Sequence, residues 1–345
     1  MPRVVVTGGA GYIGCWATQK LLRAGYDVTV VDKGFFPSGL SYLASLAVKT
    51  VLADVRDFDL NTVAPFDYVV HLAGLSNDPS AEYSPVGNHE MNVVATERLC
   101  EQASQLGCKR FLFASSASVY GFNDQPRLDE TAALNPCSYY AESKAKAELA
   151  VGKYQADIGG IILRQATVMG WSPRHRNDLV VNAMTRSALE TGKIVVNGGG
   201  EATRPLIEVQ DLAETYVRLL QAPGDKVIGE TFNVNHRRAD GTVFEGYTIS
   251  CLGLWLKHLL AEKHGLKCDV IGNWQDKEAR SYDMTSRKLR AALDWEPLRG
   301  VDAAVADIMA HRDELKSYDQ VNIAWMKALE HGQKVTKQTG SIFTP

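Results

Sequence analysis

"VVVTGGAGYIG", residues 4 to 14, runs a short β-branched segment straight into a turn that carries Gly8, Gly9, Gly11 and Gly14. The pattern G-x-G-x-x-G starts at Gly9, and G-x-x-G-x-x-G starts at Gly8. Glycine suits a place where backbone must pass close to a pyrophosphate while the next helix aims its free N–H groups and positive dipole end at that charge. A glycine-rich turn alone says little, and its surroundings carry the weight. A strand precedes it, helical spacing in "CWATQKLLRAG" follows, and the next strand candidate, "YDVTVVD", closes on Asp32. A dinucleotide site places a carboxylate there for the adenosine ribose, and that charge repels the extra phosphate of NADP. NAD is therefore the expected cofactor, with adjacent Lys33 the one opposing charge.

Outward from this turn, "TVLADV", "DYVVHLAG", "KRFLFASS" and "GGIILRQ" continue the strand series, and "NVVATERLCEQASQLG" supplies a helix stopped by Gly107. Strand and helix in alternation imply a parallel sheet covered on both faces, with ligands bound outside the carboxyl ends of its strands. Asp54, in "LADVRD" at the end of the third strand, reads either as a partner for the adenine amino group or as a plain strand end. Past residue 165 the rhythm breaks in "WSPRHRNDL" and "NGGGEATRP" and resumes as helices in "DLAETYVRLLQ" and "LGLWLKHLLAEKHG". The apolar face of the last, with Trp255 and Leu259, reads as core. The expected division is 1–165 for the dinucleotide, 166–330 mainly for substrate but interleaved with the last sheet strands, and 331–345 as a flexible tail.

The 345 residues hold 37 lysines and arginines against 40 aspartates and glutamates, so no global field recruits nucleic acid or an anionic membrane. Six cysteines, Cys15, Cys100, Cys108, Cys137, Cys251 and Cys268, show no C-x-x-C and read as reduced thiols. The N-terminus lacks a secretory pattern and no apolar run reaches membrane-spanning length, so a cytoplasmic protein is expected. His175 and His236 lack ligand spacing, no metal is expected, and His71 reads as structural.

"SYYAESKAKAE", residues 138 to 148, sets two tyrosines before two lysines. Residues four apart share a helix face, which pairs Tyr140 with Lys144 and rotates Tyr139 away from that lysine. A phenol ionises near pH ~10, and an ammonium held beside it lowers that value toward neutrality. The fifth strand, "FLFASSASVYG", delivers Ser115 and Ser116 to the same sheet edge, where a hydroxyl can bond the oxygen that loses its proton.

In order, "TGGAGYIG", "HLAG" at 71 to 74, Asn92 in "EMNVVAT", "SSASVYG" and "PCSYYAESK" resemble the extended short-chain dehydrogenase/reductase family, in its nucleotide-sugar epimerase and dehydratase branch, and are UDP-glucose 4-epimerase-like. The resemblance runs to about residue 300. It implies an α/β fold: a Rossmann doubly wound parallel sheet with a smaller C-terminal substrate-binding α/β domain. It implies tightly held NAD, contacted by Gly8, Gly11, Tyr12, Ile13 and Gly14 in the turn, and by Asp32, Lys33, Asp54 and Val55 at the next strand ends. Leu72, Ala73, Gly74, Asn92, Ser115, Tyr140 and Lys144 complete that set, and Ser116, Tyr140 and Lys144 match the catalytic triad. A homodimer is implied through a four-helix bundle of the helices carrying "ATERLCEQ" and "YYAESKAKAE".

Two positions depart from the galactose epimerases. Their cofactor-contacting lysine is Ser76 here, and the asparagine that commonly follows the sixth strand is Thr167. Family dehydratases carry an Asp-Glu pair where this chain has Ala117 and Ser118, neither of which transfers a proton usefully at neutral pH. Arg204 and Arg280 match arginines that clamp the substrate diphosphate, for which a planar guanidinium is suited. Arg174 and Arg176 read either as further phosphate contacts or as a solvated basic loop. With Ser76, Ser116, Ala117, Ser118, Tyr140, Thr167, Arg204 and Arg280 as the substrate set, the expected activity is epimerisation of a sugar nucleotide, at C4, through a keto intermediate. Rivals are a keto-sugar reductase, a dehydratase and a non-catalytic nucleotide sensor.

Overall fold

The computed structural model describes residues 1–123, 125, 127–236, 246–272, 274–275, 281–315, 322 and 326–327. Its main sheet is built from β1 (Arg3–Thr7), β2 (Asp27–Asp32), β3 (Lys49–Leu52), β4 (Tyr68–His71), β5 (Arg110–Ser116), β6 (Gly160–Gln165) and β7 (Thr231–Val234). All pair in parallel, in the order β7-β6-β5-β4-β1-β2-β3. Strand order reverses between β1 and β4, which opens a crevice at their carboxyl ends.

Alternation along each strand divides the side chains between two cores. Val4, Val6, Val28, Val30, Leu112 and Leu163 face one side, packed with Leu21 of α1 (Tyr12–Arg23) and with Leu212 and Tyr216 of the later helix Val209–Gln221. Val5, Val31, Val69, Phe111, Phe113 and Ile162 face the other, packed with Leu99 and Cys100 of α2 (Ala95–Gln105) and with Ala147 and Val151 of α3 (Tyr139–Lys153). Full burial of each such aliphatic or aromatic side chain contributes about 1.5–3 kcal/mol. Ser138 starts α3 by accepting from Ala141 N at 3.2 Å, and Gly107, at φ +71°, ends the segment after α2.

A third core joins Met169, Val181, Ile194, Leu252, Leu256 and Val305 beside the sheet. Three two-stranded ladders surround it: Thr167–Met169 with Leu206–Glu208, Lys193–Val196 with Asp269–Gly272, and Thr203–Arg204 with Tyr247–Thr248. Leu252, Leu256, Leu259 and Leu260 of the helix Ile249–His264 face this core, but Trp255 is 48% exposed and bonds Asp302 through its indole N–H. The reading of Trp255 as core is thereby corrected. The core-facing stripe of this helix is narrower than its apolar content suggests, and Trp255 lies off the row set by Leu252, Leu256 and Leu260. No helix among the described residues is long and apolar enough to cross a membrane.

Candidate active site

At the head of β1 the turn leaves no room for side chains at two glycines. A Cβ on Gly8, which has φ +75°, would stand 2.7 Å from Ala73 N, and one on Gly14 would stand 2.2 Å from Gly8 O. Asp32 braces the same turn, its carboxylate accepting from Ala10 N at 3.0 Å and Gly34 N at 2.8 Å. Burial pushes the Asp32 carboxyl upward against those two hydrogen bonds. Gly11 gives α1 no side-chain cap, so the first N–H groups of the helix remain directed at a ligand. Tyr12 fixes the far side of the turn by donating to Gly170 O at 2.6 Å.

One cavity runs along this edge. Gly8, Gly11, Tyr12, Ile13, Gly14, Asp32 and Lys33 line it from the first strand–helix–strand unit, Asp54 and Val55 from beyond β3, and Leu72, Ala73 and Gly74 from beyond β4. The expected cofactor residues of those three segments are thus brought together. Asp54 is paired with Lys33 at 2.5 Å and Arg56 at 2.9 Å, which hold its carboxyl down at about 2 against burial. Asn92, in a π-helical turn over Glu90–Val94, is buried and bonds both main-chain groups of Leu75, with Asn88 and Ser143 beside it. It shapes the loop after β4: a Cβ on Gly74 would meet Asn92 Oδ1 at 2.3 Å. Ser115 is different. Its hydroxyl points to Glu148 at 2.5 Å, on the opposite strand face from Ser116, so only its backbone is left for the cavity side.

Tyr140 and Lys144 follow each other up α3, and neither they nor Ser116 are among the residues that line the cavity. The Tyr140 phenol lies beside Ser116, whose hydroxyl accepts from Ser118 Oγ at 2.9 Å. Burial pushes the phenol up to about 12, and the Ser116 hydroxyl and the Arg176 charge oppose that rise. Lys144 Nζ donates to Ala114 O at 2.8 Å and lies 5.0 Å over the Phe113 ring, and burial brings it down to about 8 against the Glu148 charge. The Lys144 ammonium is turned toward Ala114 O of β5, and the charge in the chain that works against the rise is Arg176. His71 is buried between Thr7 Oγ1 at 2.6 Å and Thr96 Oγ1 at 2.9 Å, and burial takes it down to about 3, so it is a neutral tie between β4, β1 and α2.

The substrate-side residues scatter more. Ala117 faces the core rather than the site, whereas Ser118 stays at Ser116. Thr167 stands one residue before Val168, which lines the cavity, and donates its N–H to Pro205 O at 3.1 Å. Arg204 lies 5.3 Å over the Tyr282 ring, donates to Thr203 O at 2.9 Å and is not among the residues that line the cavity. Arg280 lies outside the described residues.

Arg174 and Arg176 do not form a solvated loop. They are 3% and 8% exposed, and both line the cavity. Arg176 makes a forked pair with Asp178, at 2.9 and 2.6 Å, and reaches Ser76 Oγ at 3.3 Å. Asp178 also accepts from Asn77 and is held down at about 2. Arg174 lies 3.6 Å over the Phe36 ring and is pushed down to about 9 by burial and by Arg176. Two guanidiniums with one carboxylate leave positive charge at a cavity already framed by a glycine turn and an uncapped helix, and this donor set fits the diphosphate of a dinucleotide. The signal in the sequence was the Arg-x-Arg spacing just past a strand end. Nothing in the pattern marked Phe36, Met91, Asn322 or Met326, which complete the wall. Among the described residues no group of three or more histidine, cysteine or acidic side chains is placed to hold a metal ion.

A family model described as the NAD dependent epimerase/dehydratase family matches residues 4–235. UDP-glucuronic acid decarboxylase 1 of Xenopus tropicalis is 30% identical over 305 residues, 86% of this chain and 68% of that protein. UDP-glucose 4-epimerase 2 of Oryza sativa subsp. japonica is 32% identical over 254 residues, 63% of this chain and 61% of that one. The structure of UDP-glucuronic acid 4-epimerase from Bacillus cereus, in complex with UDP-glucuronic acid and NAD, superimposes with a TM-score of 0.78 at 21% identity, covering 91% of this chain and 99% of that chain. This likeness supports the fold.

Proposed function

Because this chain belongs to the NAD dependent epimerase/dehydratase family, we propose that it inverts one carbon of a sugar nucleotide, C4, by transient oxidation to a keto sugar. The carrying observation is the Tyr140 phenol beside Ser116 at the end of β5, with Ala117 and Ser118 where an eliminating enzyme needs an acid and a base. Tyr140 Oη takes the proton of the C4 hydroxyl and returns it to the keto oxygen once the sugar has presented its other face. Ser116 holds that oxygen, and Lys144 supplies positive charge and a donor at the nicotinamide ribose. A bound NAD would supply the hydride acceptor for the same carbon and the donor for its return. Arg204, with Arg280, is assigned to the sugar-nucleotide diphosphate, and Arg174 and Arg176 to the cofactor side.

We assign the protein to the cytoplasm and to a homodimer through α2 and α3. The resemblance of the helices that carry "ATERLCEQ" and "YYAESKAKAE" supports the dimer. A second reading, decarboxylation of a uronic sugar nucleotide after the same oxidation, is favoured by the likeness to the Xenopus decarboxylase. The test is incubation of purified protein with UDP-, GDP-, CDP- and dTDP-sugars, UDP-glucuronic acid included, without added cofactor. The expected result is a new isomer of unchanged mass. Loss of carbon dioxide would establish the second reading, and loss of water would overturn the meaning given to Ala117 and Ser118.

A further inference from the structure

One part of the cavity wall comes from the far end of the chain. Asn322, 8% exposed, accepts from Arg174 Nη2 through its Oδ1 and donates through Nδ2 to Ser76 Oγ at 3.1 Å. Arg176 donates to the same serine hydroxyl. Asn322 therefore ties the loop after β4 to the 170–178 loop. Met326, also buried, packs with Leu75, Met91 and Phe35, and both Asn322 and Met326 line the cavity that Asp32, Lys33 and Asp54 line.

We propose that Asn322 and Met326 are cofactor-binding residues, which close the adenosine and diphosphate half of the site and retain the dinucleotide between turnovers. Among the described residues Arg174 has no carboxylate within ion-pair distance, and its partner is the neutral amide of Asn322. An amide fixes the direction of a guanidinium without cancelling its charge, which stays available to a diphosphate. A carboxylate in its place would cancel it. Met326 is unbranched and polarisable, suited to an irregular wall beside Phe35 where an adenine ring is accommodated. Asn322 and Arg176 both converge on the hydroxyl of Ser76, which itself lines the cavity. The inference rests on the cavity being the NAD site and is independent of which sugar reaction follows.

The test uses full-length protein freed of cofactor, titrated by calorimetry with NAD and with ADP-ribose, which lacks the nicotinamide. The double variant Asn322→Ala, Met326→Ala and the single variant Asn322→Asp are each expected to bind both ligands about tenfold or more weakly. The ligand-free melting temperature of the isosteric Asn322→Asp variant should stay within about 2 °C of wild type. A double variant that binds ADP-ribose within about twofold of wild type overturns the proposal. In Asn322→Asp, a loss of affinity accompanied by a matching loss of ligand-free stability also overturns it, since the residue would then be only structural. Wild-type protein that binds neither ligand overturns the reading of the cavity itself.

Discussion

Tyr140→Phe protein is expected to fold, bind NAD and turn over its sugar nucleotide about a thousandfold more slowly than wild type, within the ~10²–10⁴ range for removal of a general acid–base group. The substitution removes one oxygen and leaves the ring in place. That oxygen lies beside Ser116 and sits where burial raises its pKa to about 12 and where Arg176 is the charge in the chain that works against the rise. A phenol so placed stays protonated, and so cannot take a proton, until positive charge close by lowers its pKa, and the oxidised nicotinamide ring carries such a charge. Deprotonation is thereby coupled to the presence of the oxidant. Tyr139 is half exposed and accepts, through its main-chain oxygen, a bond from Asn88, so Tyr139→Phe should leave turnover within about twofold. Steady-state kinetics with melting curves separate the two variants. Equal rates for Tyr140→Phe and wild type would mean that the proton leaves by another route.

Glu148→Ala is expected to destabilise the protein by about 3–5 kcal/mol, because it removes one partner of a buried ion pair and leaves the other uncompensated. Glu148 lies one turn beyond Lys144 on α3 and receives both sides of the Arg164 fork, the closest bond being 2.8 Å. Arg164 continues to Tyr120 Oη at 3.0 Å, and Tyr120 to Asn233 Oδ1 at 2.7 Å. This chain of bonds crosses from α3 through β6 to β7 beneath the strand that ends in Ser115 and Ser116. The glutamate also holds the Ser115 hydroxyl, so its loss frees the strand segment from which Ala114 O receives Lys144. Urea denaturation of Glu148→Ala should show a lowered midpoint with an unchanged slope. Replacing both partners, Glu148→Leu with Arg164→Met, should recover much of the stability, since no buried charge then stands alone. If Glu148→Ala costs under about 1 kcal/mol, water reaches this interior and the network does not fix the strand end.

The main sheet was legible because its six leading strands are short β-branched runs separated by helical periodicity, and because Gly8 and Gly14 stand where any Cβ would strike backbone. Tyr140 and Lys144 were legible for a similar reason, since helical phase is a local property. Direction was not. Spacing placed Ser115 and Ser116 at one edge, but strand alternation turns the first to Glu148 and the second to Tyr140. Spacing likewise put Lys144 on the face of Tyr140 without showing that its ammonium turns to Ala114 O. Arg174 and Arg176 have the composition of an exposed loop, and only tertiary packing over Phe36 and against Asp178 makes them cavity walls. Asn322 is further still from any local pattern, 246 residues along the chain from Ser76.

Epimerisation by this route requires above all that the hydride lifted from C4 return to C4 of the same sugar. A sugar nucleotide carrying deuterium at C4, drawn from the class that gives an isomer in the panel, tests this most directly. With purified wild-type enzyme and no added cofactor, the inverted product should retain the deuterium at C4. Label lost to solvent, or product formed only when NADH is supplied, would contradict it.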